Sequence, residues 1–262
     1  MRFLEKWRAR LQHGERSQHV YVSERYGVRS LHIGSDTVQS SMRLARPNDL
    51  ELSYTRSMMA FRLFVPVPRE VLLIGLGGGS LAKFIYHRLS STRIQVVEIN
   101  PQVVAIARHS FFVPQDETRF KVFTADGSVH VQREDACADV IAIDGYEADT
   151  LVEELASPDF YADCRNSLRP WGVASINLWG GSKLFHTLLQ RIKDAFPGIL
   201  CLPAERPGNI VVFGFERKPP PFAWAGLERK AAVLQAEDGL EYPRFVEGLK
   251  KMNPHDVQFL HA

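Results

Sequence analysis

The chain has 262 residues, of which 45% are hydrophobic and 24% are charged, with 32 Lys and Arg against 30 Asp and Glu. This composition excludes a disordered chain, and the length allows one large α/β domain or a main domain with a small appendage. No apolar run reaches the roughly 18 residues that span a bilayer, and the charged first 16 residues lack the apolar centre of a signal peptide. We therefore expect a cytoplasmic protein without a membrane partner.

The net charge is +2, and the first 16 residues carry an excess of basic side chains. This segment is more typical of a solvated amphipathic helix than of a nucleic-acid arm, so we expect no nucleic-acid partner. The nine His residues are dispersed and the three Cys residues show no metal-ligand spacing. The sequence predicts neither a metal site nor a disulfide framework.

Residues 19–42 alternate apolar and polar side chains, with breaks at Tyr26-Gly27 and at 34–36. This pattern predicts a small antiparallel β meander. Apolar residues at helical spacing over 54–64 then predict a helix, which Pro66 and Pro68 end.

Beyond residue 70 short apolar segments alternate with helical patterns, which predicts an α/β fold with a parallel sheet covered on both faces. Strands are predicted at 71–75, 94–99, 119–125, 139–145, 172–178 and 209–216. Helices are predicted at 81–89, 101–111, 158–168 and 182–196, and as two short helices after Pro219. We divide the chain into an N-terminal helix, meander and connecting helix (1–64), a Rossmann-like nucleoside-binding catalytic domain (65–218) and a helical tail (219–262).

A glycine-rich loop, GLGGGS at 75–80, lies between the first of these strands and its helix. Glycine allows a sharp turn there and lets a ligand approach the backbone. Glu98 ends the next strand ~20 residues later, where a carboxylate can bind both ribose hydroxyls of a nucleotide.

Acidic residues follow the next two strands as well: Asp126 is succeeded by Gly127, and Asp144 ends the fourth strand. Ligands of open α/β sheets bind at this carboxyl edge. The loop lacks the third Gly or Ala of the dinucleotide fingerprint, and Asp126 is placed to bind an adenine amino group. Both features favour a nucleoside such as S-adenosylmethionine over a dinucleotide.

The ordered series of these motifs resembles the polyamine aminopropyltransferases, the spermidine and spermine synthases. It comprises Gln39 after the meander, Glu51-Leu52-Ser53-Tyr54, the glycine loop, Val97-Glu98-Ile99-Asn100, Ala125-Asp126-Gly127 and the strand that ends at Asp144. The resemblance implies the class I methyltransferase fold, with a mostly parallel seven-stranded sheet, helices on both faces and the small N-terminal meander.

The resemblance also implies roles for particular residues. Decarboxylated S-adenosylmethionine would be the co-substrate, and its binding residues would be Gln39, Gly75, Gly77, Gly78, Gly79, Glu98, Asp126 and Gly127. Asp144 would accept the proton of the attacking amine, and Tyr54 would position that small-molecule amine. Tyr146 and Trp179 follow strand ends, where we expect them to line the pocket or to pack at the sheet edge.

Three positions depart from the family pattern. Gly78 stands where the family usually has an Asp that contacts the aminopropyl amine, Glu147 replaces the second acid after the fourth strand, and Thr55 replaces a common His. Loss of the carboxylate at Gly78 removes an ion pair for a cationic amine.

Three hypotheses stay open at this point. The first is an aminopropyltransferase acting on a putrescine-like amine, with Glu147 replacing the second acid of the acceptor site. The second is a methyltransferase that uses S-adenosylmethionine, for whose carboxylate Gly78 leaves room. The third is a degenerate homologue that binds a nucleoside without turnover. The resemblance implies a homodimer, and an exposed sheet edge near 209–216 is compatible with one.

Overall fold

The computed structural model describes residues 19–133, 137–147, 150–151, 153–205 and 208–262, but not the side chains of 146, 147, 150, 151, 153 and 154. The helix predicted within the first 16 residues lies outside this part of the chain. None of the helices in the described ranges combines the length and apolarity that a membrane-spanning helix requires.

The N-terminal meander is confirmed. It consists of β1 (Val20–Arg25), β2 (Val28–Ile33) and β3 (Val38–Arg43), paired antiparallel in that order. Tyr26 and Gly27 form the first turn, both with positive φ, which is the geometry that a two-residue hairpin favours because it matches the strand twist.

The helix predicted at 54–64 is present in two parts, α1 (Ser53–Met58) and a 3₁₀ helix (Met59–Leu63). Every residue of the 3₁₀ helix is buried. This segment therefore forms part of the core of the main domain.

A seven-stranded sheet forms the centre of the molecule. Its strands are β4 (Glu70–Ile74), β5 (Arg93–Glu98), β6 (Phe120–Thr124), β7 (Ala138–Ile143), β10 (Leu168–Trp179), β11 (Gly198–Pro203) and β12 (Asn209–Phe215). Their order is β11-β12-β10-β7-β4-β5-β6, and β12 is antiparallel to both of its neighbours. The mostly parallel sheet is confirmed.

Two expectations about the sheet need correction. The apolar pattern indicated six strands, and the seventh, β11, occupies a short segment for which no strand was predicted. The prediction of an exposed sheet edge near 209–216 is wrong, because β12 lies between β10 and β11. The edges of the sheet are β11 and β6.

Helices cover both faces of this sheet. They are α2 (Ser80–Arg88), α3 (Pro101–Ser110), α4 (Gly127–Val131), α5 (Pro158–Ser167) and α6 (Phe185–Ala195). Alternate residues of β4 belong to different core clusters: Val71 and Leu73 to one, Leu72 and Ile74 to the other. This is the pattern of a strand buried on both faces. Two short strands, β8 (Tyr146–Glu147) and β9 (Thr150–Leu151), and a 3₁₀ helix (Glu153–Ala156) follow β7.

The last part of the chain contains the two expected helices, α7 (Trp224–Asp238) and α8 (Tyr242–Met252), with a small antiparallel pair, β13 (Phe222–Ala223) and β14 (Phe259–Leu260). Helix α8 lies so close to β11 that a Cβ added at Gly248 would approach Leu202 to 2.6 Å. Cys164 and Cys201 are buried and Cys137 is partly buried, and none of the three forms a disulfide. The division at 1–64, 65–218 and 219–262 stays a prediction.

Candidate active site

A cavity of about 400 Å³ lies at the carboxyl edge of the sheet. It is bounded by the ends of β4, β5, β7 and β10, by the start of β12, by the last strand of the meander and by α1. The meander and α1 thus close the side of the cavity that the Rossmann-like part leaves open.

The glycine loop turns between β4 and α2 along one wall. Gly75 has a φ of 95°, and a Cβ at this position would collide with the backbone carbonyl of Asp144. Gly75 and Gly77 line the cavity, whereas neither Gly78 nor Gly79 is among the described lining residues. A Cβ at Gly79 would collide with Val113, so this glycine serves the packing of the turn.

Gly78 is buried beside the meander. A Cβ there would lie 2.7 Å from Ser40 Oγ and 2.9 Å from the Phe111 ring. Ser40 Oγ lies 3.2 Å from Ser80 Oγ, within hydrogen-bond distance, and both serines line the cavity. Hydroxyl groups therefore occupy the wall next to the position where the family usually carries a carboxylate.

Glu98 lies at the end of β5 on the cavity wall. One carboxylate oxygen accepts a hydrogen bond from the Leu76 N–H at 2.9 Å, and the other from the Asn100 N–H at 2.9 Å. These bonds fix the carboxylate between the glycine loop and the end of β5, in the position that the fold uses for ribose recognition.

Asp126 and Gly127 lie where β6 passes into α4. Asp126 caps α4, since its Oδ1 accepts hydrogen bonds from Ser128 N at 2.9 Å and Ser128 Oγ at 2.7 Å. A Cβ at Gly127 would approach Ile74 Cγ2 to 2.6 Å. Both residues line the cavity.

Asp144, Tyr54 and Gln39 meet at the opposite end of the cavity. The Tyr54 hydroxyl donates to Asp144 Oδ2 at 3.1 Å and, at 3.4 Å, to the backbone carbonyl oxygen of Gln39. Removal from water raises the pKa of the Asp144 carboxyl, while the hydrogen bonds from Asn177 and Tyr54 oppose that rise. Burial and the neighbouring carboxylate hold the pKa of Tyr54 well above its usual value, so Tyr54 remains a neutral donor.

Sequence reasoning missed two asparagines at this end. Asn177 Nδ2 donates to Asp144 Oδ1 at 2.9 Å, and Asn209 Nδ2 donates to Asn177 Oδ1 at 2.9 Å. Their signal in the sequence is weak: each is a single amide at the end of an apolar segment. An amide buried in a strand requires a hydrogen-bond partner, and that requirement was the available clue.

Trp179 lines the cavity beside these asparagines, in agreement with the expectation that it lines the pocket. The side chains of Tyr146 and Glu147, predicted for the acceptor site, lie outside the described part of the structure. Within the described ranges, no three His, Cys, Asp or Glu side chains cluster as metal ligands do.

The fold and the motif-bearing edge of the sheet are those of the class I methyltransferase architecture. The family model described as Spermine/spermidine synthase domain matches residues 51–218. A polyamine aminopropyltransferase from Chromobacterium violaceum is 41% identical over 235 residues, which are 89% of this chain and 90% of that protein. The chain belongs to the spermine/spermidine synthase family, a family of transferases.

Solved structures agree with this fold. A probable spermidine synthase from Corynebacterium glutamicum superposes with a TM-score of 0.71 at 19% identity, over 90% of this chain and 92% of that one. Human methyltransferase-like protein 13 in complex with SAH gives a TM-score of 0.64 at 26% identity, over 71% and 92% of the two chains.

Proposed function

We propose that this protein transfers the aminopropyl group of decarboxylated S-adenosylmethionine to a putrescine-like amine and releases methylthioadenosine. The observation that carries the proposal is Asp144: a partly buried carboxylate at the end of β7, with its pKa raised by burial, faced by the neutral donors Tyr54 and Asn177. Family membership and the relative from Chromobacterium violaceum support it.

The donor's nucleoside would occupy the cavity wall built by the strand ends of β4, β5 and β6. Glu98 would accept the ribose hydroxyls, Asp126 and Gly127 would contact the adenine, and Gly75 and Gly77 would let the backbone approach. Gln39 would lie along the aminopropyl arm. The acceptor would bind beside the hydrogen-bonded pair of Tyr54 and Asp144, and the roles expected for Tyr146 and Glu147 stay predictions.

In the transfer, the lone pair of a neutral amine nitrogen attacks the donor carbon next to the sulfonium. The new N–C bond forms as the S–C bond breaks, and the electron pair of that bond leaves with the thioether sulfur. Before this attack Asp144 takes one proton from the bound ammonium form of the amine, and after it the product nitrogen keeps its two remaining protons as a secondary ammonium. Because the sulfonium is already an activated leaving group, alignment of the amine and removal of its proton are the protein's main tasks.

A diamine carries positive charge at neutral pH, so a carboxylate at the reacting nitrogen both attracts it and accepts a proton. Tyr54 donates its hydroxyl proton to Asp144 Oδ2 and to Gln39 O. Tyr54 thereby fixes the position of Asp144 Oδ2 and connects this carboxylate to β3 of the meander. The cytoplasmic location and the homodimer stay predictions.

Replacement of the base tests this function. We expect Asp144→Asn to lower kcat for methylthioadenosine formation by about 10²–10⁴-fold, the usual contribution of a general base, with donor binding retained. Asp139→Asn is the matched control. Asp139 lies at the other end of the same strand, where it accepts hydrogen bonds from the Arg69 and Glu70 N–H groups. Equal losses in both variants contradict the assigned role of Asp144.

A second candidate function, methyl transfer from S-adenosylmethionine, is favoured by one observation. The wall near Gly78 carries the hydroxyls of Ser40 and Ser80, which can donate hydrogen bonds to the carboxylate that S-adenosylmethionine has and its decarboxylated form lacks. Calorimetry with both donors separates the candidates. Tighter binding of decarboxylated S-adenosylmethionine supports aminopropyl transfer, tighter binding of S-adenosylmethionine supports methyl transfer, and binding without any product indicates a homologue that does not turn over.

A further inference from the structure

Three neighbouring strands contribute to a hydrogen-bonded line of side chains behind the reacting carboxylate. Strands β7 and β10 pair in parallel up to Ile143 and Ile176, so Asn177 comes to lie beside Asp144. In the antiparallel pair of β10 and β12, Asn209 lies opposite Trp179, two residues beyond Asn177 on the same face. Diagonal neighbours on one sheet face are within reach of each other's side chains.

The chemistry of the three groups fixes both amide orientations. An ionised carboxylate only accepts hydrogen bonds, so the NH₂ group of Asn177 must face Asp144 Oδ1 and its carbonyl oxygen must face away. That oxygen receives the Nδ2 proton of Asn209. If Asn177 turned by 180°, its oxygen would face the carboxylate and its NH₂ group would face that of Asn209, and both hydrogen bonds would be lost.

Both asparagines are more buried than their polarity alone predicts. Asn177 is 3% exposed and Asn209 is 8% exposed, and both contribute to the cavity wall. A buried amide without a partner costs free energy. The mutual hydrogen bonds satisfy this requirement while leaving Asp144 as the end of the line that faces the cavity.

We infer that Asn177 and Asn209 are a positioning pair that holds the Asp144 carboxylate in one orientation and in its ionised form. This inference rests on the proposed function, in which Asp144 accepts the amine's proton. Asn177 acts on the carboxylate directly, and Asn209 acts through Asn177. With Tyr54 on Oδ2 and Asn177 on Oδ1, the remaining lone pairs of the carboxylate are presented to the substrate.

The experiment compares Asn177→Leu and Asn209→Leu, which keep a branched side chain and remove the amide, with Asn253→Leu as control. Asn253 is also buried, its amide bonds to the Cys201 backbone, and neither residue is among the described residues that line the cavity. Carboxyl-¹³C-labelled aspartate is titrated by NMR, with the Asp144 signal assigned from its loss in Asp144→Asn. The pH profile of kcat is measured alongside. Asn177→Ala replaces the leucine variant if the latter does not fold.

In Asn177→Leu we expect the midpoint of the Asp144 titration to move up by about one pH unit, because a donor to the charged form is lost. The midpoint of the acid limb of the kcat profile should move up by the same amount. The rise should be smaller in Asn209→Leu and absent in Asn253→Leu. The other titratable groups of the described cavity wall, Tyr54, Glu98 and Asp126, are the same in all variants.

An unmoved Asp144 midpoint in the variants of both cavity asparagines overturns the inference. The NMR titration needs no turnover, so it separates this failure from failure of the proposed function. If the wild-type protein makes no methylthioadenosine, the function is wrong, and the titration still decides whether the two asparagines control the carboxylate.

Discussion

Three carboxylates of the described cavity wall differ in what their oxygens accept. Glu98 and Asp126 bind backbone N–H groups at the end of β5 and at the start of α4. Asp144 binds the side chains of Tyr54 and Asn177. Burial raises the pKa of the Asp144 carboxyl, which favours uptake of a proton by this group. This difference fits the proposed roles of Glu98 and Asp126 in donor binding and of Asp144 as the base.

Gly75 is the residue at which the backbone itself limits the site. Its φ of 95° disfavours any side chain, and a Cβ would collide with the Asp144 carbonyl. We expect Gly75→Ala to weaken donor binding and to lower the free energy of unfolding by more than the about 1–2 kcal/mol of the positive φ alone. Calorimetry and denaturant unfolding measure both quantities.

Gly239→Ala is the control for Gly75→Ala. Gly239 also has a positive φ, of 73°, but no atom lies within 4 Å of a Cβ added there. If both variants lose the same free energy of unfolding and both bind the donor normally, the contact with Asp144 has no role in shaping the site.

At the scale of elements, the C-terminal helices are joined to the 3₁₀ helix (Met59–Leu63) by a buried ionic group. The Arg62 guanidinium, 3% exposed, bonds to Asp238 and to Glu237, and the Tyr242 hydroxyl donates to Asp238 Oδ2 at 2.6 Å. The 3₁₀ helix directly follows α1, which carries Tyr54. The C-terminal segment 219–262 therefore supports the wall of the cavity and is more than an appended tail.

Removal of the buried acid tests this support. We expect Asp238→Ala to lower the free energy of unfolding by about 3–5 kcal/mol, because it leaves the Arg62 charge without its buried partner. Glu237→Ala is matched to it, since the Glu237 side chain is 52% exposed, and we expect a loss of about 1 kcal/mol or less. Denaturant unfolding gives both values, and similar losses would count against a structural role of the buried pair.

At the scale of the whole molecule, Lys83 of α2 joins the meander to the sheet. Its ammonium group donates to the carbonyl oxygens of Pro47 and Phe111, both at 2.7 Å, and lies 3.1 Å from the Met42 sulfur. Burial lowers the pKa of this lysine to about 8, although the three acceptors favour the charged form. Lys83 is thus one of the contacts that attach the meander, together with the apolar cluster of Leu31, Met42, Val103 and Phe111.

This lysine makes stability depend on pH in the alkaline range. Its folded-state pKa lies below the unfolded value of about 10.4, so the unfolded chain binds more protons between pH 8 and 10, and the lysine's contribution to stability rises with pH there. We expect the free energy of unfolding of the wild type to rise relative to Lys83→Met across this window. Lys193→Met, at an exposed lysine, should run parallel to the wild type. Parallel curves for Lys83→Met as well contradict the expectation.

Local patterns predicted most of the fold. The meander, the connecting helix, six strands and four of the helices between them follow from periodicity and from Gly and Pro positions, whereas the short α4 was not predicted. Strand β11 was missed because Gly198–Pro203 begins and ends with residues that are rare in strands. It pairs with β12 as an antiparallel hairpin, which makes β11 the edge of the sheet in place of β12.

The sequence by itself predicted the strand-end residues of the cavity, because the carboxyl ends of successive parallel strands must meet at one edge of the sheet. Gly75, Glu98, Asp126 and Asp144 follow from that rule. Only the tertiary structure revealed the asparagines behind Asp144. The antiparallel β12 begins at the edge where the parallel strands end, and this brings Asn209 to Asn177 and Asp144. Strand direction and neighbour order are set by packing of the complete chain, which no local pattern contains.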